Sequence, residues 1–131
     1  MNSTQKPELL APAGTLEKLK FAVQYGADAV YIAGKQYGLR AFAGNFDKAE
    51  MAEGIQFAHD RNVKVYVTVN VFAHNADFEG MEEYLKELLE LNVDAIIVQM
   101  IDLWSMMLYN KIIVNLKHQR QPCGYFSYGY F

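Results

Sequence analysis

The sequence lacks several features that are typical of secreted, membrane-spanning or strongly basic nucleic-acid-binding proteins. It has one cysteine, Cys123, so no internal disulfide can form and a reducing compartment is expected. No apolar run reaches the roughly 18 residues of a membrane span, and residues 1–6 lack the apolar segment of a signal peptide. Its 12 basic residues do not outnumber its 15 acidic ones, so a clustered basic face is not expected. These absences predict a soluble, cytoplasmic protein without a membrane partner.

What the sequence does have is a repeated β-rich pattern. Residues 26–32 and 92–98 are alike in kind, and the apolar run 63–69 lies midway between them. With residues 9–11, this makes four short runs about 30 to 35 residues apart, a spacing that suits a βα unit.

Between these runs the apolar period changes from two residues to about 3.6, which predicts three amphipathic helices. Their apolar stripes are Leu16, Leu19, Ala22 and Val23; Met51, Ala52, Ile55 and Ala58; and Phe78, Met81, Leu85, Leu88 and Leu89. Thr15 is expected to cap the first helix and Gly26 to end it.

Start and stop signals also flank the other two helices. Asp47, with Glu50 three residues later, forms an Asp variant of a capping box. Asp77 is placed to cap the third helix and Asn92 to end it.

The order of elements, β-α-β-α-β-α-β, predicts an α/β fold with parallel strands, because the strands are almost continuously apolar. Four strands and three helices could open either a doubly wound sheet or a barrel. A complete (β/α)₈ barrel needs about 250 residues. If the fold is a barrel, residues 1–99 are expected to form its N-terminal portion only, about four βα units of a TIM-type β/α barrel.

Several separated motifs, in order, resemble a known family. They are PELLAPAGTLE at 7–17, YGADAVY at 25–31, YGLR at 37–40, VTVN at 67–70 and HN at 74–75. Together they resemble the N-terminal part of the bacterial collagenase-like U-family peptidases (peptidase family U-32), over residues 7 to about 99. The resemblance implies a barrel with further elements C-terminal to this region.

The functions that this resemblance implies are diverse. Some members are described as collagenase-like peptidases. Others help to install 5-hydroxyuridine at the tRNA wobble position with prephenate as co-substrate, or hydroxylate ribosomal RNA; this chain is most similar to the tRNA branch. Relatives in oxygen-independent quinone hydroxylation carry a cysteine-ligated iron–sulfur cluster, whose cysteines are absent here, and no cofactor is identifiable in this segment. A tRNA partner would be bound through a C-terminal part.

Residues 100–131 depart from the pattern. They hold 7 of the 18 aromatic residues, and three basic residues against one acidic residue. The family continues the fourth strand into an Asp-Pro or Asp-Leu-Gly turn, followed by a segment resembling His-x-Ser-Thr-Gln. Here the strand ends in Val-Gln-Met at 98–100, and residues 117–122 read KHQRQP. We interpret 100–131 as a divergent tail, from a frameshifted or truncated reading frame.

Barrel chemistry takes place on loops that follow the strands. Gly14 follows the first strand and precedes a helix, where exposed N–H groups could hold a carboxylate or phosphate, although a tight turn capped by Thr15 explains it equally. Gly34, Tyr37 and Arg40 follow the second strand. The Arg40 guanidinium suits bidentate binding of an anion such as prephenate or an RNA phosphate, unless it is solvated or paired with an acid.

Asn70, His74 and Asn75 follow the third strand. The Asn70 amide can orient a substrate, and His74 can act as general acid or base near neutral pH, or be a surface residue. Asn75 is a substrate-binding candidate.

The other side chains that could in principle take part in catalysis or metal binding are expected to have a structural role or no functional role. Asp28 and Asp94, 66 positions apart, precede equivalent strands and are expected to form turns or caps. His59 and His118 have no ligand-like companions, no spacing predicts a metal site, and Cys123 has no base partner.

Three functions stay open. The first is part of an RNA-hydroxylation protein, and the second is a peptidase, for which the sequence supplies no Ser/His/Asp, Cys/His or metalloprotease arrangement. The third is a non-catalytic half-barrel that is inactive or forms a homo-oligomer, because strand edges would be unpaired. The 131-residue chain is expected to be inactive alone.

Overall fold

The computed structural model of the protein describes residues 6–36, 45–69 and 78–98. These residues form β1 (Leu10–Pro12), α1 (Leu16–Gln24), β2 (Ala29–Ala33), α2 (Lys48–His59), β3 (Lys64–Val69), α3 (Phe78–Glu90) and β4 (Ala95–Val98). Strands and helices alternate, which confirms the predicted α/β class. The predicted tail, residues 100–131, lies outside the described residues.

The four strands form one parallel sheet in the order β1-β2-β3-β4. Each strand therefore pairs with its neighbour in the chain, whereas a doubly wound sheet reverses its order at a switch point. Right-handed crossovers between sequential parallel strands place the helices on the same face of the sheet. The fold is that of a partial β/α barrel; closure into eight strands stays a prediction.

The core lies between the sheet and the helices. Val65, Val67 and Val69 of β3 are fully buried, and the residues that alternate with them on this strand are only partly buried. One apolar cluster joins these valines to the helices, and it includes Leu19, Val30, Ile32, Phe46, Met51, Ile55, Met81, Leu85, Leu88 and Ile96. The helices thus cover one face of the strands.

The predicted helix ends are confirmed where the structure describes them. The Thr15 hydroxyl accepts the N–H of Lys18 at 3.2 Å, and Gly26, which follows the C-cap Tyr25 of α1, has a φ of 94°. The capping box is complete, because Asp47 accepts the Glu50 N–H at 2.8 Å and Glu50 accepts the Asp47 N–H at 3.0 Å.

Two details of the helical stripes differ from the sequence prediction. Ala52 is exposed and Gly54 is buried instead, because Gly54 lies three residues after Met51 and four before Ala58 and so shares their helix face. Tyr84 joins the buried stripe of α3. Asn92 ends that helix as predicted, with a φ of 60°, whereas the predicted cap Asp77 lies outside the described residues.

Candidate functional site

The carboxyl ends of the parallel strands meet at one edge of the sheet, which is where β/α-barrel proteins place their functional groups. Two of the predicted site residues, Gly14 and Gly34, are within the described part of the chain, after the neighbouring strands β1 and β2. The remaining predicted site residues lie outside the described residues: Tyr37, Arg40, Asn70, His74 and Asn75.

Gly14 occupies a turn that is fixed on both sides. Before it, the buried Ala13 donates its N–H to the Tyr31 carbonyl oxygen at 3.0 Å, which ties the end of β1 to β2. After it, Thr15 caps α1 through Lys18. This geometry supports the tight-turn interpretation, while Gly14 itself is exposed at the edge where a ligand would approach. Binding of an anion at Gly14 stays a prediction.

Gly34 and Phe46 meet at the end of β2, although 11 residues separate them in the sequence. They form an isolated parallel bridge. The Phe46 N–H donates to the Ala33 carbonyl oxygen at 2.9 Å, and the Lys35 N–H donates to the Phe46 carbonyl oxygen at 3.0 Å. The bridge therefore closes the base of the segment that carries Tyr37 and Arg40.

The environment of Gly34 is closely packed. Gly34 is buried, and a Cβ atom placed there would overlap the Tyr84 hydroxyl and lie 3.3 Å from Cε of Met51. The structure thus gives Gly34 a packing role, and its direct contact with a substrate stays a prediction. Sequence reasoning missed Tyr84, although its position three residues after Met81 fits the same helical stripe.

Two described charges at this edge, Lys35 and Asp47 at the cap of α2, lie close together. The ammonium nitrogen of Lys35 lies 3.7 Å from Oδ2 of Asp47, and both side chains are exposed. The Glu50 N–H, donating to the Asp47 carboxylate, lowers the pKa of Asp47 below its ordinary value of 3.8, and Lys35 lowers it further. Lys35 is therefore engaged with the start of α2.

At the opposite edge, two aspartates fasten neighbouring strands. Oδ2 of Asp28 accepts the Leu9 N–H at 2.8 Å, and Oδ2 of Asp94 accepts the Val65 N–H at 2.8 Å. Asp94 also lies 2.7 Å from Nε2 of His59. Both aspartates are structural, as expected, but they link strands rather than cap turns, and Asp94 also pairs with His59.

Metal and membrane features are not found within residues 6–36, 45–69 and 78–98. No group of three or more His, Cys, Asp or Glu side chains in these ranges could hold a metal ion. Nor has any helix there the length and apolar character needed to cross a bilayer. The absence of an identifiable cofactor in this segment stays a prediction, and the single cysteine, Cys123, lies outside the described residues.

Sequential parallel strands with helices packed against them define an α/β protein whose described part is a partial β/α barrel. A family model described as Peptidase family U32 matches residues 14–121, and the chain belongs to that family. The match includes residues 100–121, and the predicted boundary at 99 stays a prediction.

Three relatives show the range of the family. The chain is 61% identical over 95 residues to tRNA hydroxylation protein P1 of Bacillus subtilis, covering 72% of this chain and 22% of the relative. It is 46% identical over 105 residues to an uncharacterized protease of Methanocaldococcus jannaschii, covering 80% and 25%. It is 47% identical over 92 residues to tRNA hydroxylation protein P of Helicobacter pylori, covering 70% and 22%. The chain thus spans about a quarter of these relatives' length.

Proposed function

We propose that this chain is the amino-terminal part of an RNA-hydroxylation protein that modifies the tRNA wobble uridine in the cytoplasm. The observation that carries the proposal is the 61% identity with tRNA hydroxylation protein P1 of Bacillus subtilis. The sheet supports it, because its parallel strands end at one edge and the predicted site segments follow those strands in the sequence.

The roles proposed for the site residues follow from the strand order. Ala33 pairs with Thr68, so the segment that carries Arg40 and the segment that carries Asn70 and His74 leave the sheet from adjacent strands. Arg40 would hold an anion, either the carboxylate of prephenate or an RNA phosphate.

Asn70 and His74 would then position the substrate and exchange protons. Gly14, Gly34, Tyr37 and Asn75 would line the binding site. The tRNA itself would be held by parts of the protein beyond this chain.

A chimera tests the proposal in a complete protein. The matching amino-terminal part of the Bacillus subtilis protein is replaced by residues 6–98 of this chain, and the chimera is produced in a strain that lacks its own tRNA hydroxylation proteins. We expect 5-hydroxyuridine-derived nucleosides to return in digested tRNA, measured by mass spectrometry. A stable chimera that restores no tRNA hydroxylation contradicts the proposal. Hydroxylation of ribosomal RNA instead would move the proposed substrate to that RNA.

Proteolysis is a second candidate, favoured by the family's description and by the relative from Methanocaldococcus jannaschii. Residues 6–36, 45–69 and 78–98 contain neither serine nor cysteine, and the His59–Asp94 pair lies at the amino ends of the strands. These ranges therefore supply no serine or cysteine nucleophile beside a base. Cleavage of gelatin by the purified chimera, without restored tRNA hydroxylation, would favour the peptidase.

A third candidate is a non-catalytic half-barrel that associates with a second copy. Among the described strands, β1 pairs only with β2 and β4 only with β3, and unpaired strand edges favour association. Sedimentation of the 131-residue chain as a monomer with a cooperative melt would contradict this candidate.

A further inference from the structure

Gly34 sits where β2 ends, and two helices press on it. A Cβ atom at this position would overlap the hydroxyl of Tyr84 from α3, and would lie 3.2 Å from Cζ of that ring and 3.3 Å from Cε of Met51 from α2. Positive φ is found at Gly26, Asn62 and Asn92 among the described residues, and not at Gly34. The glycine is therefore required by close packing rather than by backbone conformation.

The contact lies at the base of the segment between Gly34 and Phe46. Phe46 is buried and is bonded to Ala33, while Lys35 is bonded to Phe46. Any displacement of Gly34 away from α3 would move both ends of this bridge. Arg40 lies between these two residues in the sequence, six residues from each.

We propose that Tyr84 is a positioning residue, whose hydroxyl sets how closely Gly34 approaches α3 and thereby where the segment bearing Arg40 leaves the sheet. This inference rests on the proposed function for its consequence, the placement of an anion-binding arginine. Tyr84 is 7% exposed and acts through Gly34 rather than on a substrate.

A double substitution tests the contact directly. Gly34→Ala introduces the overlap, and adding Tyr84→Phe removes the atom that it overlaps, leaving only the tighter contacts with Cζ and Met51. Amide hydrogen exchange in the 131-residue chain reports the result at Lys35 and Phe46, with Val67 of β3 as internal reference. We expect Gly34→Ala to speed exchange at these two amides at least about tenfold relative to Val67, and the double variant to recover most of this loss.

The matched control is Gly54→Ala. Gly54 is a second crowded glycine in the core. A Cβ atom there would lie 3.0 Å from Cδ1 of Leu19, and its distance from Cε1 of Phe46 would be an ordinary 3.7 Å. We expect Gly54→Ala to leave the ratio of Lys35 exchange to Val67 exchange unchanged. If Gly34→Ala does not fold, recovery of the folded state in the double variant is the readout. Failure of the double variant to improve on Gly34→Ala, in exchange or in folding, overturns the inference.

The same substitutions in the chimera test the consequence for Arg40. We expect Gly34→Ala to lower tRNA hydroxylation about tenfold or more, and the double variant to recover it, because small displacements of a binding group greatly reduce rates. Recovery of exchange without recovery of hydroxylation would overturn the link to Arg40. An unsubstituted chimera without activity would refute the proposed function instead, and the exchange data alone would then decide the role of Tyr84.

Discussion

Nε2 of His59 lies 2.7 Å from Oδ2 of Asp94, and the same carboxylate oxygen accepts the Val65 N–H at 2.8 Å. One side chain thus joins the end of α2, the start of β3 and the residue before β4. The Asp94 side chain is 6% exposed and that of His59 is 18% exposed, so water competes weakly for either group. The pair fastens the amino edge of the sheet, away from the proposed site.

Removing the charge of Asp94 should therefore destabilise the fold. Asp94→Asn keeps an oxygen that can face Val65 but loses the carboxylate beside His59, and we expect the free energy of unfolding to fall by about 1–3 kcal/mol. Urea denaturation measures this change. Asp28→Asn is the matched control, because Asp28 accepts the equivalent N–H of Leu9 and no histidine contact is found for it in the described ranges. Equal losses in the two variants would contradict a role for His59.

Stability should depend on pH through Asp47. Its pKa is lowered in the folded protein, chiefly by the Glu50 N–H, so the unfolded chain takes up the proton first as the pH falls. This contribution is present above the ordinary pKa of 3.8 and is lost as the pH falls through the lowered value. Urea midpoints at pH 5 and pH 3 should drop less in Asp47→Asn than in the unchanged chain. Parallel pH profiles would refute this assignment.

Gly26 should resist substitution for a reason different from that of Gly34. Its φ is 94° and a Cβ would meet nothing within 4 Å, so the cost of alanine is backbone strain, about 1–2 kcal/mol of unfolding free energy. Asn62→Gly, at a φ of 57°, is the comparison, and we expect it to change stability by less than about 0.5 kcal/mol. Thermal unfolding of both variants measures the difference, and a neutral Gly26→Ala would show that the turn relaxes.

The core between α3 and the sheet should be sensitive to truncation. Leu85 is fully buried, and Leu85→Ala should lower the unfolding free energy by about 2–5 kcal/mol, through lost apolar burial and the cavity left behind. Phe21 on α1 is 50% exposed, and Phe21→Ala should cost less than about 1 kcal/mol. Denaturant titrations of both variants check the contrast. Similar losses would mean that α3 is not docked as described.

Arg40 should be tested for bidentate anion binding in the chimera. We expect Arg40→Ala to lower tRNA hydroxylation about tenfold or more, and Arg40→Lys to recover it only in part, since an ammonium keeps the charge but not the planar pair of donors. Lys35→Ala is the matched control, because Lys35 belongs to the same segment and is engaged with Asp47. Full activity in Arg40→Ala would remove Arg40 from the site.

The sequence predicted those features that depend on neighbours along the chain. Thr15 and the Asp47–Glu50 box satisfy N–H groups three residues away, so their spacing is visible without a fold. Contacts across the fold were missed: His59 and Asp94 are 35 residues apart, and only the sheet register brings them together. Ala52 was predicted to be buried, but Gly54 is buried instead. Small residues such as these indicate the buried face of a helix only weakly.

The site itself was predictable only as a location. Parallel strands fix which edge carries the loops, and this much follows from the alternating pattern. The closeness of Gly34 to Tyr84 did not follow, because the two residues meet through the packing of α3 against the end of β2.

The bridge between Gly34 and Phe46 allows the residues between them to vary in number and kind without disturbing the sheet. Since Gly34 and Phe46 meet at one point, residues inserted or deleted between them should leave the register of β2 with β3 unchanged. Evolution can therefore change the residues that follow β2, and with them the ligand that is recognised, while the sheet keeps its strand pairing. A family that shares one scaffold among proteins named for hydroxylation and for proteolysis is the outcome such an arrangement permits.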